Sequence, residues 1–444
     1  MISAQNVHII GAGGIGTSAV AKWWQTKGAT VTGSDMHSSS LINELEKAGI
    51  KVKIGHFAEN VPRECDLVVY SRAVPATNVE RQIASERGIT QWSFAEFLGE
   101  LAKEMKTIAV SGTNGKSTTT AMIAKILIDA GYDPTVILGT RSPDLDQKNL
   151  RVGQNDWLVI EACEHMASFL AIKPKIAVVT NVEEDHLDFY RDLDHIRETF
   201  QQWLDRSNVA ILNAQDPESQ KLNHEEKTTF DIENRKVGDG QQTFMVKSQL
   251  EDLEEFEVSL MIPGEFNAMN AAAAATAARI AGIDQEMIEN SLRTFKGTWR
   301  RFEKVGTWQG TEVYSDYAHH PTAILGSIAA FREFFPEKKL VVVYEPHQHS
   351  RTHELFDEFV ESFDEADALI LSEIYEVTGR TEEKFESSAD LAEKVKSRGK
   401  IDTVLYAKDA DAAEDHLRDV VEPGDIVIIM GAGTIDNLAR KLAG

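Results

Sequence analysis

The sequence predicts an α/β protein of three domains built on mostly parallel sheet. Short apolar runs alternate with longer helical patterns almost from end to end, the arrangement that lays helices over the faces of parallel strands. The chain has 444 residues, about three times a common domain length of roughly 150. Its composition can fill the cores such domains need. Hydrophobic residues make up 42% and charged residues 26%, with only 11 Pro and 29 Gly, which excludes disordered and collagen-like chains.

The first block, 1–105, opens with a strand at 7–10, a glycine turn and a helix, followed by strand-like runs at 30–33, 52–54 and 67–70 and a helical stretch at 93–103. The second, 106–297, begins with a strand at 107–110 and has further strands at 157–160 and 176–180. Its alternating region, 227–261, reads as an antiparallel insertion or sheet edge, and an alanine-rich helix at 267–281 follows. The third, 298–444, starts at the segment FKGTWRRFE and repeats strand and helix, with strands at 340–344, 368–371, 403–406 and 426–430. No short-period repeat is visible, which sets solenoids aside.

Charge narrows the function classes. Lys plus Arg is 46 against 71 Asp plus Glu, a net −25 that repels nucleic-acid backbones and anionic membrane surfaces. A small anionic substrate is still compatible, because a few basic side chains and backbone N–H groups make a local positive site. Two cysteines, Cys65 and Cys163, cannot form a disulfide framework and fit a reducing cytoplasm. The N-terminus has no signal-peptide pattern, and no apolar stretch approaches the roughly 18 residues that span a bilayer. Neither nucleic acid nor membrane is an expected partner.

Two glycine loops carry the strongest chemical signals. Gly11-Ala12-Gly13-Gly14-Ile15-Gly16 lies between strand and helix, with Asp35 19 residues after Gly16. Such glycines let backbone approach a pyrophosphate at a helix N-terminus, and a UDP-sugar suits them as well as NAD does. The second loop reads Val110-Ser111-Gly112-Thr113-Asn114-Gly115-Lys116-Ser117-Thr118. Gly112 and Gly115 let its N–H groups wrap phosphates, Lys116 reaches the β/γ oxygens, and Ser117 or Thr118 can hold Mg²⁺. Val110 stands where the longer form of this loop has its first glycine.

Glu161-Ala162-Cys163-Glu164 and Thr180-Asn181-Val182-Glu183-Glu184-Asp185-His186-Leu187-Asp188 end successive strands, where ligands collect in parallel sheets. An acidic residue there suits Mg²⁺, whereas His186 reads either as a hydrogen-bonding group or as a ligand, since Mg²⁺ prefers oxygen. Arg300 and Arg301 read as site residues or surface salt bridges, the run Asp316-Tyr317-Ala318-His319-His320-Pro321 as a site or a helix-entry loop, and Glu345-Pro346-His347-Gln348-His349-Ser350-Arg351 as a site or a helix cap.

Taken in order, HIIGAGGIGTSAV, TGSD, SGTNGKSTTT, EACE, TNVEEDHLD, PGEFNAMNAAAA, GTWRRFE, SDYAHHPT, EPHQHSRT and MGAGTI resemble the Mur ligase family nearly end to end. The resemblance implies an N-terminal Rossmann-like domain that binds the UDP-sugar, a central P-loop ATPase domain, and a C-terminal Rossmann-like domain that receives the amino acid. It implies ATP, Mg²⁺, UDP-N-acetylmuramate and L-alanine as cofactors and substrates, an acyl-phosphate mechanism, and a monomer or weak homodimer.

By the same resemblance Lys116, Glu161, His186, His319 and Arg351 are the catalytic set, and Ser117, Thr118, Glu161 and His186 the metal set. Gly112, Thr113, Asn114, Gly115, Lys116, Ser117, Thr118, Asn267, Asn270, Arg301 and Asp316 would contact the nucleotide. Gly13, Gly14, Ile15, Gly16, Asp35, Ser71, Tyr317 and His347 would contact the other substrates.

The chain departs from the alanine-adding branch at five positions. Asn114 and Ser117 stand for a usual His and Thr, Met166 for Asp, Phe266 for His and Gln348 for Arg. Later-adding branches carry a lysine about four helical turns after the D-H-x-D motif. None occurs here between His186 and Lys221, which favours alanine addition. A D-glutamate-adding or peptide-recycling ligase is the alternative within the family. Outside it stand an NAD-dependent oxidoreductase and a nucleotide-binding switch.

Overall fold

The computed structural model describes residues 3–187, 189–238, 240–249, 255–376 and 385–444, and it has three sheets. The first contains β1 Asn6–Ile10, β2 Thr30–Asp35, β3 Lys51–Ile54, β4 Leu67–Tyr70 and β5 Thr90–Ser93. They lie in the order β3-β2-β1-β4-β5, every pair parallel. The order reverses beside β1, and in open parallel sheets that reversal opens a crevice at the strands' carboxyl ends. The glycine turn sits there.

The second sheet contains β6 Lys106–Ser111, β7 Thr135–Ser142, β8 Lys148–Arg151, β9 Trp157–Glu161, β10 Ile176–Val179, β11 Val209–Asn213, β12 Lys227–Gly238, β13 Gln241–Ser248 and β14 Phe256–Leu260. Its order is β14-β13-β12-β11-β10-β6-β9-β7-β8. β6 is central and parallel to both β9 and β10, so the loop after it faces the ends of both neighbours. β7 and β8 form an antiparallel hairpin at one edge.

The third contains β15 Glu303–Trp308, β16 Thr311–Asp316, β17 Leu340–Tyr344, β18 Ala368–Ser372, β19 Thr403–Ala407 and β20 Ile426–Met430, in the order β15-β16-β20-β17-β18-β19. Only the β15–β16 pair is antiparallel. β17 explains its own unbroken apolar run LVVVY. Leu340, Val342 and Tyr344 enter the cluster on one face, and Val341 and Val343 the cluster on the other.

The chain forms two compact units, one of residues 1–233, 245–258 and 269–295 and the other of 234–244, 259–268 and 296–444. Within the first unit one continuous apolar cluster runs from Trp23, Trp24 and Phe97 through Leu158 and Phe169 to Phe200 and Trp203, and a smaller one gathers Ile10, Val61, Val68 and Ala84. Trp23 meets Trp24 and Phe97 edge-on at 5.0 and 5.3 Å. The helix Phe94–Ala102 begins with a reciprocal cap between Ser93 and Glu96, as an S-x-x-E pattern specifies.

The predicted strands at 67–70, 340–344 and 426–430 match their observed bounds, and most others grow by one or two residues. The region 227–261 contains β12, β13 and β14; β12 pairs in parallel with β11, so it is not wholly antiparallel. Residues 239 and 250–254 within it lie outside the described ones, as does Asp188 of the TNVEEDHLD run. No helix among the described residues is long and apolar enough to cross a membrane.

Candidate active site

The first site forms at the switch point of the N-terminal sheet. Gly11, at φ 78°, turns the chain after β1, and the N–H groups of Gly11 and Ala12 both donate to Ser34 O. Gly13 N donates to Asp35 Oδ2 at 2.8 Å, so this carboxylate braces the glycine turn. A cavity of about 560 Å³ opens beside it, lined by Gly11, Gly13, Gly14, Asp35, His56 and Ser71 among others. Four of the predicted substrate residues therefore converge.

Ile15 and Gly16 do not line that cavity. A Cβ on Gly16 would come 2.7 Å from the Phe94 ring, so this glycine serves close packing of two helices. Ile15 presents its carbonyl to the Asn149 side chain. His56, which sequence reasoning missed, reaches the cavity because β3 lies two strands from the glycine turn.

The second site is the loop between β6 and the helix Lys116–Asp129. Gly112 (φ 136°) and Gly115 (φ 83°) adopt backbone conformations open to glycine, and a Cβ on Gly115 would collide with Asn270 Oδ1. Asn270 Oδ1 also accepts from Thr119 Oγ1 at 3.2 Å. Asn114 N donates to Asn181 Oδ1 at 2.8 Å, and Thr180 Oγ1 donates to Asn114 O, which fixes the loop to the end of β10.

Lys116 Nζ donates to the carbonyls of Gly112 and Thr113 and to Glu164 Oε1, the last two at 3.0 Å. Its charge is thus held in the mouth of the loop. Ser117 Oγ donates to Glu161 Oε2 at 2.9 Å, while the other Glu161 oxygen accepts from Gly139 N of β7. Thr118 is buried.

Glu164 has no role in the set that the sequence motifs imply. It is buried, and its Oε2 has no hydrogen-bond partner among the described residues. Its Oε1 lies 3.7 Å from His186 Nε2, and ligand atoms of Glu164, Asp185 and His186 all fall within 4.8 Å of one another. His186 takes a left-handed backbone conformation (φ 54°), and its ring stacks on His165 at 4.2 Å. Cys163, between Glu161 and Glu164 in the chain, is exposed.

In the second unit the segment after β16 meets the segment after β17. The Tyr317 and His319 rings are 4.9 Å apart, those of His319 and His347 6.2 Å, and Arg351 Nη1 lies 3.5 Å from His347 Nδ1. Burial, together with the Arg351 and His347 charges, holds the His319 imidazole below its ordinary range, while its Nδ1 contacts Tyr317 O at 2.8 Å.

Asp316 is buried and accepts from the backbone N–H groups of Phe302 and Ala318, both at 2.9 Å. Arg301 is exposed, whereas Arg300 is buried, donates to Gly431 O and packs 5.0 Å from the Tyr317 ring centroid. Asn267 Nδ2 donates to Pro263 O at 2.6 Å.

Comparison with known proteins matches three family models along the chain: Mur ligase family, catalytic domain, at 6–106; Mur ligase middle domain at 110–278; and Mur ligase, glutamate ligase domain, at 300–433. The UDP-N-acetylmuramate–L-alanine ligase of Caldanaerobacter subterraneus is 38% identical, over 98% of this chain and 97% of its own. That of Aquifex aeolicus is 37% identical, over 98% and 96%. The chain belongs to the Mur ligase family. Among solved structures, the UDP-N-acetylmuramate–alanine ligase of Thermotoga maritima superposes with a TM-score of 0.81 at 26% identity, covering 98% of each chain.

As a Mur ligase the chain carries its departures at defined places. Asn114 Nδ2 donates to Glu183 Oε2 at 3.3 Å, Met166 sits at φ 53° and Gln348 at φ 72° before a short helix. Phe266 is 47% exposed with its ring 5.4 Å from Phe302. A histidine there would offer a polar edge; phenylalanine offers only a face.

Proposed function

We propose that this Mur ligase joins L-alanine to the lactyl carboxylate of UDP-N-acetylmuramate with ATP, in peptidoglycan precursor synthesis. The observation that carries the reading is that one compact unit holds two phosphate-type loops, each at the carboxyl end of a parallel strand: the glycine turn with its cavity, and the 112–117 loop with Lys116. An oxidoreductase needs the first alone. Two loops suit a phosphorylated sugar substrate and ATP together. ATP as co-substrate makes the cytoplasm the compartment of the reaction.

In the first step a substrate carboxylate oxygen attacks the γ-phosphorus, the bond to the ADP oxygen breaks, and an acyl phosphate forms. The alanine amine then attacks the acyl carbon, and the tetrahedral intermediate expels phosphate to leave the amide. Lys116 offsets charge on the transferring phosphoryl group from a position its loop already fixes. Arg351 pairs with the alanine carboxylate as a planar fork, with Tyr317 and His347 beside it. His319, held neutral, accepts the proton that the amine loses.

The donors around the loop fit Mg²⁺. Ser117 and Glu161 offer hard oxygens, and Glu164 Oε2 is a buried carboxylate oxygen without a hydrogen-bond partner among the described residues. Ser117, Thr118, Glu161 and His186 would hold the ion, with Glu164 as a further ligand, and it would offset charge on the phosphate oxygens.

The test is isotopic. UDP-N-acetylmuramate labelled with ¹⁸O in its lactyl carboxylate should deliver one labelled oxygen to the released phosphate. Phosphate free of label would exclude the acyl phosphate.

A further inference from the structure

Beneath the N-terminal cavity lies a buried polar cluster that the mechanism does not use. Glu80 is completely buried. Its Oε1 accepts from Phe57 N at 3.1 Å and Asn60 Nδ2 at 2.7 Å, and its Oε2 from Ser34 Oγ at 2.5 Å and His8 Nε2 at 3.2 Å. Four donors fill the four lone-pair sites of one carboxylate. Burial alone pushes this carboxyl up, but the bonds from His8, Ser34 and Asn60 outweigh it and hold Glu80 down at about 2.

The cluster fixes a proton at the cavity wall. Ser34 has one hydroxyl proton, and it is committed to Glu80. Ser34 Oγ also lies 3.1 Å from His56 Nδ1, so in that contact the serine accepts and Nδ1 carries the hydrogen. Glu80 Oε1, 3.5 Å from the same nitrogen, favours the same tautomer. His56 lines the cavity, and its Nε2 makes no hydrogen bond to the described residues. In the neutral ring Nε2 is then a lone-pair acceptor, and the ligand atom it suits is a donor.

We propose that Glu80, acting through Ser34, holds His56 as the Nδ1–H tautomer so that Nε2 accepts a hydrogen bond from N3–H of a uracil ring. Glu80 is a positioning residue and His56 the group that reads the base. The proposal rests on the reading that the cavity takes the UDP portion of the substrate. Strand order supports the base end: the glycine turn follows β1, Asp35 ends β2 and His56 follows β3, one strand farther from the turn. Cytosine offers a lone pair at N3, and two facing acceptors repel with a desolvation cost on both.

The experiment measures calorimetric binding of UDP and CDP to the full chain, together with ¹⁵N spectra of the His56 ring. The unsubstituted chain should bind UDP roughly tenfold or more tighter than CDP, with Nδ1 protonated. In Glu80→Gln the amide can donate to Ser34, whose hydroxyl then turns to His56 Nδ1 and makes Nε2 the donor. The UDP preference should fall to within about threefold and the ¹⁵N pattern should invert.

His56→Phe, a change at the cavity wall that spares the buried carboxylate, should weaken UDP and level the two nucleotides. Nε2 protonated in the unsubstituted chain, or a UDP preference kept in both variants, overturns the tautomer proposal and leaves the UDP-sugar reading standing. Failure of both nucleotides to bind the unsubstituted chain overturns the reading and the proposal together.

Discussion

Asn149 donates its side-chain amide to Ile15 O and, at 3.2 Å, to Ser18 Oγ, which fastens β8 of the central sheet to the first turn of the helix behind the N-terminal glycine turn. The partner strand of the same hairpin, β7, supplies the Gly139 N–H that holds Glu161 beside Ser117. One edge hairpin thus braces both phosphate loops of the first unit. Asn149 is buried, so Asn149→Ala removes two buried hydrogen bonds, while Ile15 O keeps the bond from the Ser18 hydroxyl. A loss of about 1–3 kcal/mol is expected in urea unfolding; an unchanged midpoint would show the tie to be idle.

Lys116→Ala should lower turnover by a factor on the order of 10²–10³ while leaving the circular dichroism spectrum intact. The side chain sits at the loop mouth and supplies charge, with little apolar burial to lose. Activity within threefold of the unsubstituted enzyme at saturating Mg²⁺ would remove Lys116 from the mechanism.

Gly115→Ala tests the loop's shape separately from its charge. The φ of 83° and the collision with Asn270 Oδ1 both act against a methyl group. The KM for ATP should rise roughly tenfold or more with the KM for alanine little changed, as substrate-titration kinetics would show. Equal rises in both would mean a general loss of structure.

Much of this site was legible before the fold was known, because a phosphate loop advertises itself in contiguous residues. Gly112, Gly115 and Lys116 needed only the order strand, glycine, helix. The β7–β8 hairpin was hidden: its partners Lys148–Arg151 form a four-residue strand, KNLR, that lacks an apolar run. Glu164 and His56 were missed for another reason. Their importance comes from burial and from partners 22 to 48 residues away, Lys116 for one and Ser34 for the other, which no local pattern encodes. Asp35 was chosen by its spacing to the glycine turn, and the structure adds that one of its oxygens braces that turn.

His319 sets an expected pH dependence. Its pKa is lowered, by burial first and then by the Arg351 and His347 charges, so the neutral form persists below the ordinary histidine value of about 6.5. Protonation removes the acceptor for the amine's proton, so kcat/KM for alanine should fall on the acid side only below that value. His319→Gln should flatten this limb and lower the plateau by about 10²–10⁴. An acid limb above pH 7 that survives the substitution would assign the titration to another group.

Alanine is the proposed acceptor. The direct measurement is kcat/KM for L-alanine, glycine, L-serine and D-glutamate on one preparation, with UDP-N-acetylmuramate and ATP saturating and ADP release as the readout. L-Alanine should come out highest. Glycine and L-serine should follow within about 10²-fold, because one methyl or one hydroxyl is weakly discriminated. D-Glutamate should stay at background. D-Glutamate as the best acceptor would contradict the account.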